Sequence, residues 1–329
     1  MQSTGPRRAL RSTLGAVLGA SALFAGAFVT FAAPAGAATD CPARGERVVF
    51  ARSLDAFGGN WGIAAVPTDT SGTGGGQVTW VLTPPKAGKS IYNFRPSVSP
   101  TDGTIAWDTN QGGRQRIRTM ACDGTGARDW SSRSGPKDAM GAAFSPDGTQ
   151  LAFVARMPGN TSKTQPKFGL YVAPFSQPGK ARLVTKEIAA GGMHPAWSPD
   201  GTKLAFAAGA SIPHIAVVNL DGTGFTELTK SKNGDGEPSW SPDGTQIAYN
   251  SSAEGDDVWI MNADGTGARK LATGEVSAYQ PAFSPGGEWV AYVKNAIGHS
   301  ELWLIHPDGS ADHALTTTTG KEANEAPAW

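Results

Sequence analysis

The sequence is short of charge, histidine and cysteine, and it has no excess of either charge sign. Charged residues make up 17% of its 329 positions, and 28 Lys plus Arg balance 28 Asp plus Glu. Zero net charge leaves no electrostatic footprint for nucleic acid or an anionic membrane surface, so neither is expected as a partner. No Gly-x-Ser-x-Gly elbow occurs, and no stretch alternates strand and helix as an α/β-hydrolase does, which excludes the usual platform for a nucleophilic serine. The five histidines are His194, His214, His299, His306 and His313. The last three recur at a helical spacing, but they flank a predicted hairpin, so the spacing loses its meaning. No metal and no cofactor are expected.

What is abundant is glycine (43), proline (23) and tryptophan (10), the profile of an all-β domain rich in tight turns. The first 37 residues stand apart. Arg7, Arg8 and Arg11 precede an uncharged Ala/Gly/Leu/Phe run from Leu14 to Phe31, and Ala35-Gly36-Ala37 supplies a small-residue cleavage site. Residues 1–37 therefore read as a signal peptide, through a general or a twin-arginine route, with no transmembrane anchor left after cleavage. The expected location is the cell envelope or the extracellular space. Residues 38–46 read as a short N-terminal segment. Asp40 directly before Cys41 is unlike a lipobox, and in an oxidising compartment Cys41 and Cys122 read as one disulfide. Such a bond would stabilise the chain by up to about 4 kcal/mol in the chain-entropy account.

An internal repeat decides the architecture. Phe144, Trp197 and Trp240 each begin the sequence aromatic-Ser-Pro-Asp-Gly, with variants at Val98 and Phe283. The intervals are 46, 53, 43 and 43, and a further 46 lead to Trp329, where Ala326-Pro327-Ala328-Trp329 copies Pro195-Ala196-Trp197. Each segment reads as four short strands. In the copy at Pro195 these are Pro195–Ser198, Lys203–Ala207, Ile215–Asn219 and Phe225–Thr229, separated by Asp-Gly turns whose glycines reach positive φ. Residues 47–329 thus predict a six-bladed β-propeller of four-stranded antiparallel blades. The first blade lacks a clear first strand and the C-terminus has one to spare, so the C-terminal strand is expected to join the first blade and remove two exposed edges, the alternative being a stunted first strand at Asp40-Cys41.

These five copies resemble the TolB-type β-propeller family, over roughly residues 45–329. The resemblance covers the propeller part only, without the N-terminal α/β domain that couples family members to the Tol machinery. It implies a fold and not that role. Similar blades also accompany serine peptidases of the prolyl oligopeptidase type, whose triad lies in a separate domain.

Repeated Asp147, Asp200 and Asp243 read as turn residues, because a group needed once per blade is structural. The positions just before each first strand differ instead: Arg95, Gly141, His194, Glu237, Gln280 and Ala326. A scaffold held constant with one ring varied points to recognition. Arg95, His194, Glu237 and Gln280 are the candidate ligand-binding residues at the mouth of a funnel, for a protein, peptide or glycan of the cell envelope. The chain is expected to be a monomer, working as a binding scaffold and not as an enzyme. The alternative is a hydrolase or lyase acting on peptide or glycan, with His194 and Glu237 as base and acid.

Overall fold

The computed structural model describes residues 41, 45–54, 60–68, 77–84, 90–131, 135–162, 167–188, 194–209, 211–253, 255–272, 276–296, 298–318 and 320–329. The expected signal peptide and most of the segment 38–46 lie outside the described residues. Among the described residues the structure is almost entirely β, with one 3-10 turn at Pro178–Lys180. No described helix is long and apolar enough to cross a membrane.

Runs of β-branched and aromatic residues between Asp-Gly turns form the strands. Arg47–Ser53 (β1), Trp61–Pro67 (β2) and Thr79–Leu82 (β3) come first. Asn93–Val98 (β4), Ile105–Thr109 (β5), Arg116–Met120 (β6) and Arg128–Asp129 (β7) make an antiparallel four-stranded sheet. Three more such sheets follow. The first holds Lys137–Phe144 (β8), Gln150–Arg156 (β9), Phe168–Pro174 (β10) and Arg182–Thr185 (β11). The second holds Ala196–Trp197 (β12), Lys203–Ala208 (β13), His214–Asn219 (β14) and Thr226–Glu227 (β15). The third holds Asp235–Trp240 (β16), Gln246–Ser251 (β17), Asp257–Asn262 (β18) and Arg269–Lys270 (β19). The last strands are Ala278–Phe283 (β20), Val290–Ala296 (β21), His299–Ile305 (β22), His313–Ala314 (β23) and Ala323–Ala328 (β24).

This is a β-propeller, with one departure from the expected set of six separate blades. Four sheets stand alone, and the other strands run as one eight-stranded sheet in the order β20-β21-β22-β24-β1-β2-β3, with β23 on β22. The C-terminal β24 lies antiparallel to β1, Ser53 opposite Ala323 and Val49 opposite Ala328, as the missing first strand required. Its start also touches β22 through a single parallel pair, Ser300 with Ala323, and that one contact merges two strand sets. Fourth strands are shorter than expected, Thr226–Glu227 in place of Phe225–Thr229, and Phe225 is exposed.

The apolar interior is divided into layers between successive sheets. Phe206 and Leu204 pack with Val154, Leu170 and Met140 of the sheet before. Phe153 and Leu151 do the same with Ala106 and Ile117. The second strand keeps a fully buried alanine at Ala106, Ala152, Ala205, Ala248 and Ala291, where a larger side chain would hold neighbouring sheets apart. The first strands β24, β4, β8, β12, β16 and β20 contact one another in a closed cycle. Bonds stitch the cycle together: Phe144 N–H to Ser97 Oγ (3.1 Å), Phe283 N–H to Ser239 Oγ (3.0 Å), and Trp329 Nε1–H to the Ala282 carbonyl (3.0 Å).

The repeated turns are self-contained. Ser145 Oγ donates to Asp147 at 2.6 Å, and the Thr149 amide donates to the same carboxylate at 3.0 Å. Ser198, Asp200 and Thr202 repeat these distances, as do Ser241, Asp243 and Thr245. Gly148, Gly201 and Gly244 take φ of 69°, 69° and 72°, the left-handed conformation the turn requires. The Cys41–Cys122 disulfide forms, with its Cα atoms 5.8 Å apart.

Candidate functional site

Four of the first strands carry, near their start, a bulge built from a residue followed by proline. Arg95-Pro96, Glu237-Pro238 and Gln280-Pro281 fall where the register to the second strand slips, between Phe94 and Ser97, Gly236 and Ser239, and Tyr279 and Ala282. Ala326-Pro327 holds the equivalent place in β24. Proline has no N–H to lose from the ladder, so a bulge is where a sheet tolerates it. The residue before each proline is left-handed: φ is 51° at Arg95, 54° at Glu237, 56° at Gln280 and 52° at Ala326. Non-glycine residues pay about 1 kcal/mol or more for that conformation, and a following proline disfavours it further. Gly141 takes the same place in β8 at φ 64° without a Cβ penalty.

The bulge turns the left-handed amide toward the preceding sheet, where a side chain accepts its hydrogen. Gly141 N–H donates to Asp108 Oδ1 (2.8 Å), Gln280 N–H to Glu237 Oε2 (3.2 Å), and Ala326 N–H to Gln280 Oε1 (2.6 Å). Arg95 reaches furthest. Its Nε–H donates to His194 Nε2 at 2.7 Å, and its Nη1 lies 3.3 Å from Asp108 Oδ2. Arg95 and His194 belong to sheets that are not neighbours, so their bond requires both to face a common axis.

Polar groups this recessed titrate far from their ordinary values. Burial pushes the Asp108 carboxyl up to about 6, opposed in part by Arg95 and the Gly141 amide. Glu325 rises to about 7, chiefly by burial, with the Tyr279 hydroxyl opposing and Glu237 adding to the rise. Glu237 is also raised by burial, with Arg95 opposing. Burial and then Arg95 hold His194 well below its usual value. A guanidinium only donates, so Nε2 of His194 is the acceptor and the ring is neutral. Glu237 Oε1, 3.8 Å from that same Nε2, is a neighbour and not a hydrogen-bond partner.

Beside this cluster is a cavity of about 430 Å³, lined by Trp61, Tyr92, Phe94, Arg95, Asp108, Gln115 and Glu325. Trp61 and Phe94 meet edge to face with centroids 5.2 Å apart, and the Arg95 guanidinium lies 5.3 Å from the Phe94 ring centre. Among the described residues no group of three or more His, Cys, Asp or Glu has metal-holding geometry. His306 and His313 instead pack on Trp289, at centroid distances of 4.0 and 5.2 Å.

Residues 136–329, more than half the chain, match the family model described as the TolB beta propeller domain. The chain belongs to the TolB β-propeller family. No curated protein matches it. Among solved structures it is similar to TolB from Acinetobacter baumannii, with 21% identity, a TM-score of 0.68, and coverage of 86% of this chain and 66% of that one. It is also similar to a putative TolB from Agrobacterium tumefaciens, with 22% identity, a TM-score of 0.61, and coverage of 73% and 84%. A chain of a nidogen/laminin complex has 14% identity and a TM-score of 0.64, covering 86% of this chain and 97% of that one. The chain thus spans about two thirds of the Acinetobacter protein, and at these identities the likeness is one of fold.

Within this TolB-type propeller the four candidates from the sequence lie together, Arg95 bonded to His194, Glu237 beside His194, and Glu237 linked to Gln280. Sequence reasoning missed Asp108, Glu325 and the Trp61 and Tyr92 rings. Asp108 had a signal. Aligned second strands carry Ala51, Val154, Ala207, Asn250 and Val293 at its position, and Asp108 alone puts a charge there.

Proposed function

We propose that this chain is an exported binding scaffold, a six-bladed propeller that holds a protein, peptide or glycan of the cell envelope at its Arg95–His194–Glu237–Gln280 mouth. The count of six treats the eight-stranded sheet as two blades, β20 to β23 and β24 with β1 to β3. The closed cycle of six first strands supports it. Export with cleavage after Ala37 is supported by the Cys41–Cys122 bond, which fits an oxidising compartment. On this reading the mature protein is a monomer in the envelope or outside the cell.

The observation that carries the binding role is the ring of strained, recessed polar groups. Left-handed residues before proline and buried carboxylates with raised pKa values cost stability, and such cost is characteristic of functional positions. Catalysis by His194 and Glu237 is not favoured, because the Arg95 guanidinium occupies the lone pair a general base would use. The test is affinity capture from envelope and culture fractions with mature protein beside an Arg95→Ala/His194→Ala/Glu237→Ala/Gln280→Ala variant. A partner held by the first and lost by the folded variant supports the reading; a partner held equally by both contradicts it.

A further inference from the structure

The cavity beside the mouth has a chemistry that narrows the ligand class, and the inference deepens the binding role proposed above and rests on it. Three aromatic rings converge there: Trp61 from β2, and Tyr92 and Phe94 from the approach to β4 and β4 itself. Two carboxylates, Asp108 and Glu325, share the lining, against one cation, Arg95. That cation is already committed to Asp108 and His194. Asp108 is satisfied as well, by Arg95 and the Gly141 amide. Glu325 is different. Among the described residues its carboxylate accepts one hydrogen bond, from the Tyr279 hydroxyl at 3.3 Å. Glu237 also adds negative charge nearby, and burial raises the Glu325 carboxyl to about 7.

Arg95 offsets the charge of Glu325 only in part. A recessed carboxylate without a full counter-charge is costly, and aromatic faces attract positive charge through their quadrupoles. The Arg95 guanidinium resting on the Phe94 ring shows this attraction already in use within the cavity. A cavity of about 430 Å³ lies in the range of small-molecule sites lined by aromatics with a few convergent polar groups. We infer that the Trp61–Tyr92–Phe94 cavity binds the ammonium group of a small organic cation, with the Glu325 carboxylate as its counter-ion. Sugars also stack on aromatic rings, but they bring no charge to offset Glu325.

The test is calorimetric titration of the mature protein with choline chloride, n-butylammonium chloride and the neutral choline isostere 3,3-dimethylbutan-1-ol. Saturable binding of either cation is expected, with the alcohol at least about tenfold weaker. The stronger of the two cations tells a quaternary from a primary ammonium ligand. Glu325→Gln is expected to weaken the cation about tenfold and leave the alcohol unchanged. Phe94→Leu, which keeps an apolar side chain but no π face, is expected to weaken the cation with the thermal midpoint held as a check on folding. Equal affinity for alcohol and cation, unaltered cation affinity in Glu325→Gln, or no saturable cation binding would each overturn the inference. Partner capture measured with the same Glu325→Gln protein separates the two claims. Partner capture by an unmutated protein that binds no cation removes the ammonium site and leaves the mouth intact; saturable cation binding in a protein whose capture the four-residue variant leaves unchanged removes the mouth and leaves the ammonium site.

Discussion

The Ser-Pro-Asp-Gly turns and the X-Pro bulges terminate the same first strands at opposite ends, yet they differ in nearly every physical respect. At the turns, each aspartate is held by its own hydroxyl and amide donors two residues away, the bonds repeat from sheet to sheet, and left-handed positions are glycine. At the bulges, acceptors come from other sheets and differ in residue from one position to the next, and the left-handed positions are Arg95, Glu237, Gln280 and Ala326 as well as Gly141. The electrostatics also oppose. Hydrogen bonds hold Asp147, Asp200 and Asp243 below the usual carboxylate range, while burial holds Asp108, Glu237 and Glu325 above it. One end is built to keep the fold, and the other spends stability on recessed charge. This division is the physical content of the binding proposal.

The largest expected effect belongs to the end that keeps the fold. Replacing Cys41 and Cys122 together by Ser is expected to lower stability by up to about 4 kcal/mol, read from denaturant unfolding, without changing partner capture by the folded fraction. A change in capture would mean that the two ends are not separable. Next is Asp108→Ala, which strips acceptors from the Arg95 guanidinium and the Gly141 amide. It is expected to cost about 2–3 kcal/mol, and Asp108→Asn, which keeps an oxygen there, distinctly less.

The pH profile sharpens the contrast. Carboxyls raised on folding stabilise the protein below their unfolded pKa, and that contribution is lost as pH rises through their folded values. For Asp108 and Glu325 the loss runs from about pH 4 to about pH 7, on the order of 3 kcal/mol from each. Carboxyls lowered on folding act in reverse: the turn aspartates stabilise above about pH 4, and this is lost as pH falls through their folded values. Asp108→Asn/Glu325→Gln is therefore expected to flatten the limb above pH 4 in a plot of unfolding midpoint against pH. Asp147→Asn/Asp200→Asn/Asp243→Asn is expected to flatten the acid limb only. The smallest effect is a gain. Ala326→Gly relieves a left-handed alanine and is expected to raise stability by up to about 1 kcal/mol in thermal unfolding.

The turns were legible in the sequence because they are local: Ser, Asp, Gly and Thr within five residues make every bond they need. Repetition at a near-constant interval then gave the strands and the pairing of β24 with β1. The join at Ser300–Ala323 was not legible, since one backbone pair leaves no trace in side-chain pattern. Arg95, His194, Glu237 and Gln280 could be placed at one mouth by register alone. Their bonds could not be read, because each depends on sheets about 40 to 100 residues apart in sequence. Left-handed φ before proline was hidden for another reason: local preference opposes it, and only the bulge enforces it.

Hydrogen exchange on the mature protein, free and saturated with its captured partner, tests the division between the two ends most directly. The account predicts added protection in segments 92–97, 235–240, 278–283 and 323–327, with 145–149, 198–202 and 241–245 unchanged. Protection confined to those turn segments would contradict it.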